Sequence, residues 1–199
     1  MKIICFGRNY TSHAKELNNE ILKKPFFFIK PDTSLLRTDK FYLPSFSNNI
    51  NYEVELAIKI NKIGKSIHKK FAHKYYNEIS LGIDFTARDL QNDCKNKKLP
   101  WDISKSFDYS TPIGKWFEKS ELSSLEFKLL KNNKIVQKGN PDKMIFKIDE
   151  LIQYLTNYIT VKKGDIILTG TPSGVGKIFK GDRLVVYLDN KKTIEIDIF

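Results

Sequence analysis

Tyr52-Glu53-Val54-Glu55-Leu56-Ala57-Ile58-Lys59-Ile60 is the stretch from which the rest of the chain is read. Tyr52, Val54, Leu56, Ile58 and Ile60 alternate with Glu53, Glu55, Ala57 and Lys59, the period-two pattern of a β-strand with one apolar face. Glu53 and Glu55 then point the same way. Two carboxylates side by side either stand in water, where like charges cost only about a few tenths of a kcal/mol, or share a cation. A hard divalent ion such as Mg²⁺ is one such cation. Asp84 favours the second reading. It interrupts Leu81-Gly82-Ile83-Asp84-Phe85, an apolar run that reads as a buried strand, and a buried Asp is uncommon unless it is paired or ligates a metal.

On the N-terminal side, Lys2 to Phe6 reads as a short strand ended by Gly7-Arg8-Asn9-Tyr10. Thr11 to Leu22 has helical composition with Ser12 as a possible N-cap, and Asn18, Asn19 and Lys23-Lys24-Pro25 close it off. His13 and Glu16 are three apart, so they share a helix face and can hydrogen-bond; a surface pair without consequence is the other reading of that spacing. A short helix flanked by such residues can open and close over a site. Phe26 to Lys30 is an aromatic strand halted by Pro31, and Phe71 to Ile79 is expected to be helical.

Toward the C-terminus, Ala87-Arg88-Asp89-Leu90-Gln91 starts a helix, and Lys105-Ser106-Phe107-Asp108 lies in a loop punctuated by Pro112 and Gly114. Leu125–Leu130 and Ile135–Gln137 bracket a hairpin turn at Lys131-Asn132-Asn133-Lys134. Apolar residues at 148, 151, 152 and 155 mark an amphipathic helix over 148–158. Ile166 to Thr169 is a strand, and a last hairpin turns at Asp189-Asn190. Several hairpins and few short helices predict a mostly β, mixed α+β protein. With no repeat and no linker, residues 1–199 are expected to form one domain.

The net charge of +11 raises the question of nucleic acid, but the lysines are spread along the chain and no zinc-finger spacing or RNP-type strand is present. Polyanion binding is therefore the lesser reading, and no nucleic-acid partner is expected. No apolar run approaches the roughly 20 residues needed to cross a bilayer, and Met1 to Phe6 is too short for a secretory signal. Cys5 and Cys94 lack a disulfide framework or ligand spacing, which suits free thiols in the cytoplasm. Gly170-Thr171-Pro172-Ser173-Gly174-Val175-Gly176-Lys177 looks like a phosphate loop only superficially. The first glycine would have to stand at Thr171, and Ile178 replaces the Ser/Thr that would hold Mg²⁺. Glycines at a strand end more plausibly let backbone and Thr171 approach a ligand closely.

Taken in order, five quoted pieces resemble the signatures of the fumarylacetoacetate hydrolase family, single-domain branch. They are Gly7-Arg8-Asn9-Tyr10 with His13-Ala14-Lys15-Glu16-Leu17, Tyr52 to Ala57, Asp84 to Gln91, Lys105 to Asp108, and Gly164-Asp165 through Gly176. The match runs from near the first residue to about Asp182. The resemblance implies a mixed β-sandwich roll, a homodimer, and Mg²⁺ or Mn²⁺ held by Glu53, Glu55 and Asp84. It also implies a small 2-oxo acid substrate, whose keto group the metal polarises while stabilising the enolate left when the neighbouring C–C bond breaks. By the same similarity His13 and Glu16 are a catalytic dyad on a lid helix over 11–22, and Lys105 supports developing negative charge. Gln91, Thr171 and Arg8 become substrate contacts, Arg8 and Arg88 being equally readable as structural partners of the acids. Ile83 departs from the family in standing where relatives often carry a polar residue. The expected activity is hydrolysis of an acylpyruvate, with oxaloacetate or dioic-acid decarboxylation or keto–enol isomerisation at the same site as the alternative.

Overall fold

The computed structural model describes residues 1–18 and 20–199. Its centre is the acidic strand. β1 (Ile3–Gly7), β2 (Phe26–Lys30), β3 (Ile50–Tyr52), β4 (Val54–Ile60), β5 (Tyr76–Ile83), β6 (Phe127–Lys131), β7 (Lys134–Gly139), β8 (Ile166–Leu168), β9 (Arg183–Leu188) and β10 (Lys191–Ile198) are its main strands. A six-stranded sheet runs Phe117–Glu118, β5, β4, β8, β1, β2. All its pairings are antiparallel except β1 with β8. A five-stranded sheet runs β7, β6, β9, β10, Lys40–Phe41. The mixed β architecture expected from the sequence is thus found.

The expectation of a single apolar face on the acidic strand is corrected. β4 lies inside the six-stranded sheet and is covered on both sides. Leu56, Ile58 and Ile60 enter the main core with Ile4, Phe6 and Ile167. Ala57, on the other face, packs against Ile3, Cys5, Ile166 and Leu168. Glu55 has the parity of Ala57 and so belongs to the face of this smaller cluster. Ile4, Leu56, Ile58 and Ile167 are each 0% exposed. At about 1.5–3 kcal/mol for each buried aliphatic side chain, they offset the several kcal/mol per charge of taking acids out of water.

The register places the acids together. β4 pairs with β5 so that Val54 faces Ile83 and Glu55 faces Gly82, and the Asp84 amide donates to the Glu53 carbonyl at 2.8 Å. Glu53 lies in the break between β3 and β4, and Asp84 stands one residue beyond β5, where the ladder ends and side chains can converge.

The 71–79 helix is not formed. Lys69–Ala72 makes one helical turn, His73–Tyr75 a 3₁₀ turn, and Tyr76 already starts β5. Pairing of β5 with both β4 and Phe117–Glu118 outweighs the local helical composition. The first helix, α1, spans Thr11–Glu16 and not 11–22; Leu17 and Asn18 form a turn, and Asn19 lies outside the described residues. Tyr10, not Ser12, is its N-cap. α2 (Arg88–Lys97), α3 (Asp102–Lys105) and α4 (Ile148–Tyr158) complete the set used below; α4 buries Leu151, Ile152 and Leu155, the face its periodicity marks. Both hairpin turns carry paired left-handed residues, Asn132-Asn133 at φ 50° and 65° and Asp189-Asn190 at 47° and 61°. That is the geometry of tight two-residue hairpins.

Candidate metal centre and active-site cavity

Glu53, Glu55 and Asp84 each present a carboxylate oxygen, and these oxygens lie within 4.8 Å of one another. All three side chains are buried. Such a cluster survives only with compensating charge, and three cations supply part of it. The Lys105 ammonium donates to Asp84 Oδ2 at 2.6 Å, Glu53 Oε2 at 2.9 Å and Thr86 Oγ1 at 2.6 Å, which uses all its hydrogens. Lys30, fully buried on β2, donates to Asp84 Oδ1 at 2.7 Å and to the Ser110 carbonyl at 3.1 Å. Arg88 pairs with Glu53 Oε1 and reaches Gln91 Oε1 at 2.6 Å through its other terminal nitrogen.

Glu55 is the exception. Its Oε2 accepts the Gly170 amide at 2.7 Å, and no cation bonds to it among the described residues. Gly170 has φ +101°, and a Cβ there would stand 2.7 Å from Asn9 Cβ, so glycine is what lets this amide approach.

The electrostatics divide accordingly. Burial pushes the Glu55 carboxyl well above its ordinary value, and Asp84 and Glu53 push it further the same way. Burial acts upward on Glu53 too, but Lys105 and Arg88 outweigh it and hold that carboxyl far below the usual range. Burial disfavours the Lys105 ammonium, yet Asp84 and Glu53 more than compensate, and its pKa lies above that of an ordinary lysine.

A buried, uncompensated carboxylate flanked by two others of the same charge is a position that a divalent cation completes. An all-oxygen donor set is the chemistry of Mg²⁺ and Mn²⁺. The residues present therefore fit a hard metal ion.

His13 lies on α1, buried, with Nδ1 3.3 Å from Glu16 Oε2. The other Glu16 oxygen, Oε1, accepts the Gly174 amide at 2.9 Å. One carboxylate thus both orients the imidazole and fastens α1 to the loop after β8. Gly174 holds φ +99°, and a Cβ there would meet the Val136 carbonyl at 2.2 Å. Burial lowers the His13 pKa below its ordinary 6.5, against the opposing pull of Glu53 and Glu16, so the ring is neutral at pH 7. With Nδ1 donating to Glu16, Nε2 is left as a base.

The acids, His13 and Lys105 line one cavity of about 30 Å³, together with Arg8, Gln91, Thr171, Lys95 and Trp101. That is room for a water or an ion. A larger open groove of about 650 Å³ runs past Tyr10, Lys128 and Lys138 but holds none of the acid triad.

Of the site residues named from the sequence, Arg8, His13, Glu53, Glu55, Asp84, Gln91, Lys105 and Thr171 line this cavity, whereas Glu16 stands behind His13 and does not. Thr171 is also fixed in place, donating to the Val54 carbonyl at 2.9 Å and accepting from Gln137 Nε2 at 2.9 Å. Gln137 in turn accepts the Val54 amide at 3.0 Å, capping the buried start of β4. Asp108 is exposed and does not line the cavity. Lys30, Gln137 and the Gly170 and Gly174 amides were missed by sequence reasoning. The signal for Lys30 was available: a lysine in the aromatic strand Phe26-Phe27-Phe28-Ile29-Lys30 must find a partner if buried.

The family model described as fumarylacetoacetate (FAA) hydrolase C-terminal matches residues 2–198. The mitochondrial oxaloacetate decarboxylase of Dictyostelium discoideum is 45% identical over 185 residues, covering 90% of this chain and 85% of that protein. Mouse mitochondrial oxaloacetate tautomerase FAHD1 is 38% identical, covering 94% and 86%. Among solved structures, fumarylpyruvate hydrolase from Pseudomonas aeruginosa in complex with Mn²⁺ and pyruvate superposes with a TM-score of 0.93 at 31% identity, covering 100% of this chain and 89% of that one. Among the described residues, no helix is long and apolar enough to cross a membrane.

Proposed function

The chain belongs to the fumarylacetoacetate hydrolase family, and from that premise we propose that it is a divalent-metal-dependent enzyme converting small 2-oxo acids through an enolate. The observation that carries this reading is the convergence of Glu53, Glu55 and Asp84 within 4.8 Å, with Glu55 lacking any cationic partner among the described residues. Oxaloacetate tautomerisation or decarboxylation is the favoured activity, because relatives named for these reactions match across most of the chain. Hydrolysis of an acylpyruvate is the second reading. It is favoured by the His13–Glu16 dyad, which can activate water, and by the likeness to a fumarylpyruvate hydrolase.

When bound, Mg²⁺ or Mn²⁺ supplies Lewis acidity toward the keto and carboxylate oxygens of such an acid. Glu53, Glu55 and Asp84 would hold it. The protein's own groups do the rest. Lys105 sets a permanent positive charge beside the oxygen that gains electrons. Gln91, whose amide nitrogen bonds to no described residue, and Thr171 at the cavity wall orient the acid. In tautomerisation His13 Nε2 takes the proton from the carbon beside the keto group, and the electron pair moves onto the keto oxygen. In decarboxylation that pair comes from the C–C bond as CO₂ leaves. In hydrolysis Nε2 removes a proton from water, which attacks the acyl carbon; the C–C bond then breaks, its electron pair leaving as the enolate of the 2-oxo acid, and the proton returns to that carbon.

Oxaloacetate decay, enol–keto conversion and pyruvate release from acylpyruvates, each followed with Mg²⁺, Mn²⁺ and chelator, test the proposal together. Activity that survives complete metal removal would end it. His13→Ala is expected to keep its metal and lose about 10²–10⁴ in tautomerisation or hydrolysis, the reactions in which Nε2 takes a proton. Wild-type rates for that variant would refute the dyad.

The pH profile follows from the sign of the His13 shift. Protonation of Nε2 removes the base, and burial moves that event downward, so kcat/KM should rise with pH with a midpoint below 6.5 and be flat through neutrality. A midpoint at or above that value would contradict it. Assembly as a homodimer is part of the proposal and is read by light scattering. A cytoplasmic location is the reading supported by two buried, unpaired thiols, Cys5 and Cys94.

A further inference from the structure

Loss of CO₂ from oxaloacetate leaves an electron pair on the carbon beside the keto group, and a proton must reach that carbon before pyruvate forms. His13 does not carry it. The ring is neutral at pH 7, its one proton lies on Nδ1 toward Glu16, and Nε2 is a base. In hydrolysis water hands that ring a proton to return, and in tautomerisation the substrate does; decarboxylation consumes no water and hands it none. A separate acid is required.

The groups that line the cavity leave one candidate. Lys105 commits its three hydrogens to Asp84, Glu53 and Thr86, and those acids raise its pKa. Arg8 and Arg88 carry guanidinium groups, which do not deprotonate. Thr171 gives its proton to the Val54 carbonyl, and Glu53, Glu55 and Asp84 would hold the metal as carboxylates. Lys95 remains. It lines the cavity, and its Nζ forms no hydrogen bond or ion pair among the described residues.

Lys95 projects from α2, where Arg88, Gln91 and Lys95 follow at the i, i+3, i+7 spacing of a single helix stripe that starts at Glu53. Its ammonium lies 5.5 Å from the Trp101 ring, which Phe26 meets edge-on at 5.4 Å, so the charge is held at the cavity wall and not left to wander in solvent. Four charged groups face it: Arg88 on the same helix, Arg8 after β1, Glu53 ahead of β4 and Lys105 at the end of α3. Burial lowers the Lys95 pKa and the three cations lower it further, against Glu53 alone. An ammonium in that setting is a stronger acid than an ordinary lysine and better matched to neutral pH. Being half-buried, it also meets the water that reloads it.

We propose that Lys95 is the general acid of decarboxylation, delivering a proton to the enolate carbon once CO₂ has left. This rests on the proposed 2-oxo acid reading. The electron pair of the broken C–C bond forms the new C–H bond with a proton from Nζ, the nitrogen keeps its own pair as a neutral amine, and solvent returns the proton. Oxaloacetate and one proton thus give pyruvate and CO₂. His13 and Lys95 divide the chemistry, the first removing protons and the second supplying one where none has been removed.

Enolpyruvate, released from phosphoenolpyruvate by a phosphatase, isolates the step, and its ultraviolet absorbance reports its decay to pyruvate. With Mg²⁺ the wild type should accelerate that decay, and Lys95→Ala should lose about 10² or more of the acceleration. Lys95→Arg keeps the charge and the place over Trp101 but has no proton to give, so it should be as slow as Lys95→Ala. Methylamine should recover at least about ten-fold in Lys95→Ala and nothing in the wild type. The sign of the pH effect is set by the acid: the wild-type acceleration should fall as pH rises, with a midpoint below 10.5, and that limb should be missing from Lys95→Ala. Wild-type rates in Lys95→Ala or Lys95→Arg would overturn the assignment, as would a loss that methylamine does not repair, which would make Lys95 structural. Oxalate titrated with Mg²⁺ separates the two readings. A wild type that binds oxalate yet leaves enolpyruvate decay unchanged overturns the Lys95 step alone; one that does neither overturns the 2-oxo acid reading with it.

Discussion

Glu55→Gln is expected to abolish Mn²⁺ binding at concentrations that saturate the wild type, to cost at least about 10³ in turnover, and yet to make the metal-free protein more stable. Glutamine keeps the oxygen that accepts the Gly170 amide but removes the charge. The sign follows from the raised carboxyl. A group whose folded pKa lies above its ordinary 4.5 favours folding while protonated, and that contribution is lost as pH rises through the folded value. Near neutrality the wild type without metal must either hold that proton or keep a third buried anion beside Asp84 and Glu53, and the amide does neither. A gain of about 1 kcal/mol or more in chelator is expected, read from urea midpoints at pH 7, with calorimetric Mn²⁺ titration alongside. A variant less stable than the wild type in chelator would show that Glu55 is compensated by something other than a metal.

Lys105→Met should do the opposite to the apo protein. Its ammonium touches Asp84, Glu53 and Thr86 at once, so its loss takes one of two cations from each buried carboxylate, leaving Asp84 with Lys30 alone and Glu53 with Arg88 alone. Breaking a buried pair in this way costs about 3–5 kcal/mol. The window is broad. The depressed Glu53 contributes stability above about pH 4.5, lost only as pH falls through its folded value. Lys105, raised above its ordinary 10.5, contributes below about that pH, lost as pH rises beyond. At pH 7 the full contribution is present, and the share that Lys105 supplies should be lost in the variant while Arg88 keeps its share on Glu53. Added Mn²⁺ should recover part of the stability by supplying positive charge to the same oxygens, but not the turnover. Unfolding in chelator at the wild-type midpoint would mean that the Lys105 contacts add nothing net to stability.

The sequence disclosed the acids, the dyad and Lys105 because each sits in a short run whose pattern is local. Alternation around Glu53 and Glu55, one acid in the apolar run at Asp84, and the three-residue spacing of His13 and Glu16 need no knowledge of the fold. Lys30 and Gln137 were not legible in that way. Lys30 meets Asp84 across 54 residues and Gln137 meets Val54 across 83, and only the order of strands in the sheets brings them together. The same limit explains Tyr76–Ile79, expected to belong to a helix until pairing on both edges claims the segment for β5. It also explains β4, whose alternation implied one wet face: the second cover, Ile3, Cys5 and Ile166, comes from strands far away in the chain.

The two oxygens of Glu16, one toward the His13 ring and one toward the Gly174 amide, behave as an interlock. One carboxylate thus fixes two things at once: any displacement of α1 would break the clasp to Gly174 and the alignment of the imidazole together.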